Sequence, residues 1–213
     1  MKKIIALLLA ALCLLFTSCS GKNSGEAAFS RGTVENGVYR NASMGITVAP
    51  GDGWTFCSDE EIARLYGISA DSFLNEDASD SFKQANIVYD MYCSSQSGDS
   101  INVNYENAGL YALALGSAKD YLELSSSNLE SQLNLEGITI EKNEIGEIEI
   151  NGSTVPCLYV TLTYSEQGVT LYEFIIAEKR GSRFAVITAG SLFEERLAEL
   201  AKTVTIEIGR AHV

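Results

Sequence analysis

The chain has 213 residues, of which 28 are acidic and 15 are basic, and its formal net charge at pH 7 is −13. This length suits a single domain with a substantial core. A chain this acidic lacks the clustered lysines and arginines that neutralise phosphate groups, which excludes nucleic acid as a partner. For the same reason its charge does not favour adsorption on anionic lipid.

The N-terminus has the pattern of an export signal. Two lysines precede an apolar run over residues 4–16, which is shorter than the roughly 20 residues of a membrane span. The sequence Phe-Thr-Ser-Cys at 16–19 resembles the bacterial lipobox, with Phe where that motif prefers Leu. We therefore expect residues 1–18 to be removed and Cys19 to be lipidated. The alternative is an ordinary secretory signal with an incidental cysteine.

Lipidation at Cys19 predicts an extracytoplasmic protein at the outer face of the cell membrane, because two or more acyl chains anchor a protein stably. Small polar residues are frequent over 19–36, which predicts a flexible tether. The folded domain is expected over 37–207. Residues 208–213 match the translation of a common sequencing adapter, and they contain His212, the only histidine. We expect the natural chain to have other residues at these positions. It would then contain no histidine that could act as a general base or as a metal ligand.

The first predicted elements of the domain are a hairpin and two helices. The hairpin spans residues 37–48, with a turn at 42–45. Ser58 and Glu61 form a capping box that begins a helix, and Gly67 ends it. A second short helix is predicted within 70–83.

Two strands and a longer helix follow. The strands are predicted at 86–93 and 101–106, joined by a polar loop. Ser117 and Asp120 cap the start of the longer helix, whose apolar residues fall on one face, and Gly137 ends it. This helix is therefore expected to pack on a sheet.

The rest of the chain reads as a strand meander and a last helix. Asn151-Gly152 is the strongest hairpin signal in the sequence. Ser191 and Glu194 are predicted to cap the last helix, with an apolar stripe at Phe193, Leu197, Leu200, Ala201 and Val204. Strands joined by hairpins, with helices between the strand groups, predict an α+β fold in which helices flank an antiparallel sheet.

Two sets of residues are interpreted as structural. The cysteines of the mature domain, at 57, 93 and 157, match no metal-ligand spacing and are expected to be buried free thiols. Glutamates at 141, 144, 147 and 149 are expected to form a solvated strand edge that discourages pairing with another chain.

Three segments carry a resemblance to known proteins: 53–62, 87–92 and 101–107 resemble small lipoproteins of anaerobic Firmicutes. The order of elements also resembles the PsbP fold, an α/β/α sandwich. The resemblance implies a binding or assembly role rather than catalysis. No metal-ligand pattern of PsbP can be carried over, because no histidine stands at a matching place, and no cofactor is expected.

The candidate binding surface lies on the two adjacent strands. Alternation predicts that Asp90 and Tyr92 point outward from the first strand, with Asn102 and Asn104 beside them on the second. Aromatic and amide groups of this kind suit a peptide or a sugar. The alternative is that the tyrosines of this region fill a core and keep only their hydroxyls wet.

The sequence gives only weak indications of a catalytic serine or of a calcium site. No Gly-x-Ser-x-Gly elbow is present, and the Ser117 and Lys119 pair is better explained by capping. An acidic stretch over 52–80 lacks the spacing of a calcium loop and is interpreted as a solvated face.

The sequence therefore predicts a non-enzymatic, lipid-anchored extracytoplasmic module that binds a protein partner or an envelope component. The second hypothesis is a lipoprotein that captures a small molecule for a transporter, and the third is a hydrolase. An enclosed pocket with convergent polar groups would favour capture, whereas a flat exposed patch would favour the binding module.

Overall fold

A computed structural model of the chain describes residues 30–67, 87–107, 115–132 and 137–207. The predicted signal with Cys19, the helix predicted within 70–83 and the tail at 208–213 lie outside the described residues. In the described ranges no helix is both long and apolar enough to cross a membrane.

Within the described ranges, eleven strands form two sheets. They are β1 (Thr33–Glu35), β2 (Val38–Asn41), β3 (Ile46–Val48), β4 (Trp54–Phe56), β5 (Ile87–Ser95), β6 (Ser100–Asn107), β7 (Ile138–Ile150), β8 (Ser153–Tyr164), β9 (Val169–Arg180), β10 (Arg183–Ser191) and β11 (Val204–Ile206). The large sheet has the order β4-β5-β6-β10-β9-β8-β7, and the small sheet has the order β1-β2-β3-β11. Every pairing among these strands is antiparallel.

Helices cover both faces of the large sheet. They are α1 (Asp59–Tyr66), α2 (Ala118–Gln132) and α3 (Leu197–Lys202), with a 3₁₀ turn at Glu194–Arg196. The small sheet and α3 share one core with the first face of the large sheet, whereas α1 and α2 each pack on the opposite face. The predicted α+β class is confirmed: antiparallel sheets are flanked by helices.

Local sequence signals account for the ends of the elements. The Ser58 hydroxyl accepts from the Glu61 amide at 3.3 Å, and the Ser58 amide donates to Glu61 Oε2 at 2.8 Å, so the capping box at α1 is confirmed. Ser117 and Asp120 make the same reciprocal pair before α2. The turn between β7 and β8 places Asn151 at φ 50° and Gly152 at φ 76°, as a tight hairpin of this type requires.

The boundary between tether and domain requires a correction. Strand β1 pairs with β2, although its residues fall in the range 19–36 that was predicted to be a tether. The folded domain therefore includes the chain from Ser30 onward, because side-chain contacts also fasten Arg31 and Gly32.

The predicted cap of the last helix is also wrong. Ser191 is the final residue of β10, and its hydroxyl donates to Asp99 Oδ1 at 2.7 Å while accepting from the Phe193 amide. Phe193, which was placed on the apolar stripe, is 52% exposed. The remaining four residues of that stripe are buried, as predicted.

The residues interpreted as structural occupy the expected places, except that Cys57 is not fully buried. Strand β7 is an edge of the large sheet, and its glutamates at 141, 144, 147 and 149 are exposed. Cys93 and Cys157 are buried free thiols, whereas Cys57 is half-buried.

Candidate functional site: a buried polar face of the large sheet

The four predicted surface residues are all buried. Asp90 and Tyr92 are each 5% exposed, Asn102 is 2% exposed and Asn104 is 6% exposed. The prediction that they form an open surface is wrong, because both faces of the large sheet are covered. Alternation along a strand assigns side chains to two faces, but it does not say which face meets water.

A β-bulge separates Asp90 from the other three residues. Tyr89 pairs with Asn104 and Met91 pairs with Val103, so Asp90 is the extra residue of β5. The irregularity turns its side chain toward the small sheet. Asp90 therefore belongs to a different cluster.

That cluster fastens the first described residues to the domain. Asp90 Oδ1 accepts from Arg31 Nε at 2.8 Å, and Oδ2 accepts from the Gly32 amide at 2.8 Å and the Tyr39 hydroxyl at 2.6 Å. Asn41 Nδ2 adds a longer bond of 3.3 Å to the same oxygen. We call this set of five residues the N-terminal clamp.

The clamp extends to helix α1 through a bidentate ion pair. Arg31 donates to the two carboxylate oxygens of Asp59 at 2.9 Å and 2.8 Å. Burial lowers the pKa of Arg31, but its hydrogen bonds and the charges of Asp59 and Asp90 outweigh this effect and raise it. One cation thus joins the carboxylates of Asp59 and Asp90, and the clamp is a structural feature rather than a vacant binding site.

A second cluster runs along β6. Ser100, Asn102, Asn104 and Glu106 alternate with apolar residues, and each is at most 6% exposed. They lie on the face that packs against α1 and α2, because the intervening Ile101, Val103 and Tyr105 belong to the core on the other face. A row of polar side chains is therefore enclosed within the fold.

The neighbouring strands add polar groups to this row. The register places Tyr92 and Thr188 on either side of Asn102, and both are buried. The pairings Ser100 with Gly190 and Gly190 with Glu173 place Glu173 on the same face. We call this set the buried polar face, and it consists of Tyr92, Ser100, Asn102, Asn104, Glu106, Glu173 and Thr188.

Glu173 is the most unusual member of the buried polar face. It is 1% exposed, and burial raises the pKa of its carboxyl to about 8. Among the described residues, no cation or hydrogen-bond donor compensates this burial. Its side chain lies over Gly190, where an added Cβ would come within 3.3 Å of Glu173 Cγ.

Asn102 presents a second uncompensated group. Its Oδ1 atom is buried, and no described residue donates a hydrogen bond to it. Leaving a buried acceptor without a donor costs about 1–3 kcal/mol. The buried polar face therefore contains at least two oxygen acceptors, on Glu173 and Asn102, that a hydrogen-bond donor from outside the described fold would stabilise.

The other titratable groups on this face are neutral at pH 7 or close to their midpoint. Burial and the nearby Cys57 raise the pKa of Tyr92 to about 12, although Ser100 opposes the shift. Burial raises the pKa of Glu106 to about 7, against a hydrogen bond with Tyr121 that lowers it. In the described ranges, no group of three or more His, Cys, Asp or Glu side chains could hold a metal ion.

Sequence reasoning identified part of this site and missed the rest. Tyr92, Asn102 and Asn104 were selected, but for an exposed surface. Four residues of the buried polar face were missed: Ser100, Glu106, Glu173 and Thr188. A lone glutamate within the apolar run of β9 is nevertheless a recognisable signal.

Comparisons with known proteins assign neither a family nor an activity to this chain. No family model matches the chain, and no curated protein matches it. The solution structure of cyanobacterial PsbP from Synechocystis is similar at a TM-score of 0.46 and 10% identity, covering 87% of this chain and 98% of that one. A Pseudomonas aeruginosa protein of unknown function is similar at a TM-score of 0.28 and 18% identity, covering 44% of this chain and 58% of that one. The function must therefore be argued from the residues of this chain.

Proposed function

We propose that the protein is a lipid-anchored extracytoplasmic binding module without catalytic activity. Cys19 carries the lipid, and the domain lies at the outer face of the cell membrane. The supporting observation is the N-terminal clamp, which fastens the chain at Arg31, only twelve positions after Cys19. A segment of this length spans at most ~43 Å when fully extended, so the domain stays close to the bilayer.

The clamp suits an anchored protein because it fixes the point on the domain from which the chain runs toward Cys19. Arg31 contacts both β5, through Asp90, and α1, through Asp59. The chain therefore leaves the fold at one defined place.

Lipidation is tested by mass spectrometry of the full chain expressed in a bacterium with lipoprotein-processing enzymes. The expected product begins at Cys19 and carries a diacylglyceryl group, and it partitions with membranes. Cys19→Ser should abolish both properties, whereas Cys13→Ser, a change within the signal, should leave them intact. A mature chain that begins elsewhere, without lipid, would contradict the anchored role.

The binding role is tested by crosslinking the lipidated protein in its native envelope and identifying what co-purifies. One reproducible protein partner supports an interaction or assembly module. A repeat with the Cys19→Ser protein, which is not anchored, distinguishes partners that require membrane placement from partners that do not.

Capture of a small molecule is the second candidate, and the buried polar face favours it. Uncompensated oxygen acceptors on Glu173 and Asn102 lie inside the fold rather than on an open surface. Ligand sites typically combine an apolar enclosure with a few convergent polar groups. This candidate predicts that protein purified from its native envelope retains a small molecule.

A further inference from the structure

Residues 30–35 lie on the domain as a bound peptide would, and we call them the N-terminal arm. Its strand β1 pairs antiparallel with β2, with Thr33 opposite Arg40 and Val34 opposite Tyr39. All three residues of β1 are exposed, and β1 pairs with no other described strand. The side chains of β1 therefore bury nothing, and the specific contacts of the arm lie in the residues that precede this strand.

The first specific contact selects arginine. Arg31 Nε donates to Asp90 Oδ1, and its two terminal nitrogens donate to both carboxylate oxygens of Asp59. Arg31 Nη2 also donates to the Asp90 carbonyl at 3.1 Å. Only a planar guanidinium presents donors in this forked arrangement, whereas the ammonium of lysine is a single point charge.

The next position selects glycine. A Cβ atom on Gly32 would lie 2.6 Å from Tyr39 Cζ and 2.8 Å from the Arg40 carbonyl oxygen, which is too close for any side chain. The Gly32 amide donates to Asp90 Oδ2 at 2.8 Å, so its backbone must approach this closely. Arginine followed by glycine is thus the sequence that fits.

The position before the arginine is recognised through its backbone alone. The Ser30 carbonyl accepts from Asn41 Nδ2 at 2.8 Å. The residues that hold the arm therefore form a site for an extended peptide that contains Arg-Gly. We call this site the Arg-Gly groove, and it consists of Tyr39, Asn41, Asp59 and Asp90 together with the edge of β2.

The arm can leave the groove without breaking any other strand pairing. It is joined to β2 by a two-residue turn, with Asn36 at φ 52° and Gly37 at φ 71°. Terminal segments with few buried contacts open at a lower free energy than the core of a domain. Release of the arm would expose the edge of β2 and both carboxylates of the groove.

The charges of the groove determine what can replace the arm. The Asp90 side chain is fully buried, and a buried carboxylate that loses its cation is strongly destabilised. An exchange that supplies a second guanidinium is consequently favoured over an empty groove. The net charge of −13 opposes the approach of a second copy of this acidic chain and favours a basic partner.

We propose that the Arg-Gly groove binds an extended Arg-Gly segment of a basic partner protein in exchange for the N-terminal arm. The partner segment pairs antiparallel with β2 and adds a strand to the small sheet. The chain's own arm occupies the groove until that exchange, so it is an autoinhibitory contact. This inference rests on the proposed function, because it names the site and the chemistry of the protein partner.

The test measures binding of three capped, fluorescent peptides to the full mature chain. One peptide has the sequence of residues 28–35, the second has lysine in place of its arginine, and the third has alanine in place of its glycine. The protein carries Arg31→Ala, which removes the competing guanidinium. The unaltered peptide should bind at least about tenfold more tightly than either altered peptide.

Wild-type protein should bind the unaltered peptide at least about tenfold more weakly than Arg31→Ala does, because the attached arm competes at a high effective concentration. Gly32→Ala provides a second protein with a displaced arm, which keeps the test decisive if Arg31→Ala does not fold. In the Arg31→Ala background, Asp59→Asn should weaken peptide binding. Glu60→Gln is its control, because Glu60 is an exposed carboxylate on the same helix.

The result in the native envelope separates the groove from the binding role. Crosslinking of the wild-type protein is repeated with an excess of the unaltered peptide or of the lysine peptide. Loss of the captured partner with the unaltered peptide alone supports the proposal. A partner that stays bound in both cases would show that the binding role holds but uses another surface.

Two further results overturn the inference. Equal binding of the three peptides, or no binding to either protein with a displaced arm, would show that the groove serves only to hold the chain's own terminus. If no protein is captured in the envelope, the proposed binding role fails and the exchange fails with it.

Discussion

Arg31 and Asp90 lie 59 residues apart in the sequence, and Arg31 Nε donates to Asp90 Oδ1 at 2.8 Å. The Asp90 side chain is fully buried, whereas the Arg31 side chain is 20% exposed. The contact joins the first described residues to a strand in the large sheet. It also explains why an aspartate selected as a surface residue is instead part of the interior.

Removing the charge of Asp90 should destabilise the domain strongly. Asp90→Asn leaves the Arg31 guanidinium and three other donors facing a neutral amide, so we expect the free energy of unfolding to fall by about 3–5 kcal/mol. The matched control is Asp59→Asn, because Asp59 pairs with the same arginine but its side chain is 34% exposed. That change should cost about 1 kcal/mol or less. Urea unfolding measures both, and equal losses would contradict a dominant role for Asp90.

Stability should fall as pH rises from about 4.5 to about 8. The pKa of Glu106 rises from 4.5 to about 7 and that of Glu173 rises to about 8, in both cases mainly because of burial. The folded state therefore holds these protons where the unfolded state has lost them, and stability decreases through this window. The expected loss is about 3 kcal/mol for Glu106 and about 5 kcal/mol for Glu173, because each pKa unit corresponds to about 1.4 kcal/mol.

Thermal or urea unfolding across this pH range, for wild type and for Glu106→Gln and Glu173→Gln, checks the prediction. Each substitution should reduce the fall in the free energy of unfolding over the pH range in which the replaced carboxyl titrates. Asp99 acts with the opposite sign at lower pH: although burial raises its pKa, hydrogen bonds from Ser191 and Arg196 hold it below the ordinary value. Its stabilisation is therefore lost in acid, outside the window of the two glutamates. A wild-type profile that is level between pH 5 and 8 would refute this prediction.

Replacing Asn102 with leucine should stabilise the unliganded domain. The change removes a buried acceptor that has no described donor, and the expected gain in the free energy of unfolding is about 1–2 kcal/mol. Asn104→Leu is the comparison: the Asn104 Oδ1 atom also lacks a donor, but the residue makes another interaction within the fold that leucine would remove, so this change should stabilise the domain less than Asn102→Leu. Chemical unfolding of both variants distinguishes them. A destabilised Asn102→Leu protein would show that Asn102 supports the fold instead.

The glutamates of β7 should keep the large sheet from pairing with a second copy. Exposed charged side chains on an edge strand discourage edge-to-edge association. Changing the glutamates at 141, 144, 147 and 149 to threonine should produce dimers or larger species at micromolar concentration in size-exclusion chromatography. Changing the same four residues to lysine should leave the protein monomeric, because like charges still repel. Self-association of the lysine variant would point to a cause other than charge.

The ends of several elements could be predicted because they depend on neighbouring residues alone. The reciprocal hydrogen bonds of Ser58 and Glu61 and the turn at Asn151-Gly152 require a few adjacent positions, and the structure has both. The antiparallel pairing of β5 with β6 could also be predicted, because both segments have the residue pattern of a strand and a polar loop joins them.

The environment of those strands could not be predicted in the same way. The polar residues of β6 that belong to the buried polar face have the spacing of a solvated face, yet each is at most 6% exposed. Ser191 illustrates the same limit, because its hydroxyl bonds Asp99, a residue 92 positions away, instead of capping the following turn. Polar alternation identifies a face, and only tertiary packing decides whether that face meets water.

The N-terminal clamp also determines how a pull on the N-terminal end of the chain would reach the domain. The short strand β1 pairs only with β2 at the edge of the small sheet, and by itself it would peel away one hydrogen bond at a time. Arg31 precedes that strand and is held by Asp90 in β5 and by Asp59 in α1. A load applied at the N-terminus therefore meets the large sheet and α1 before it meets β1, so mechanical resistance is set by the two ion pairs of Arg31 rather than by the weakest strand of the fold.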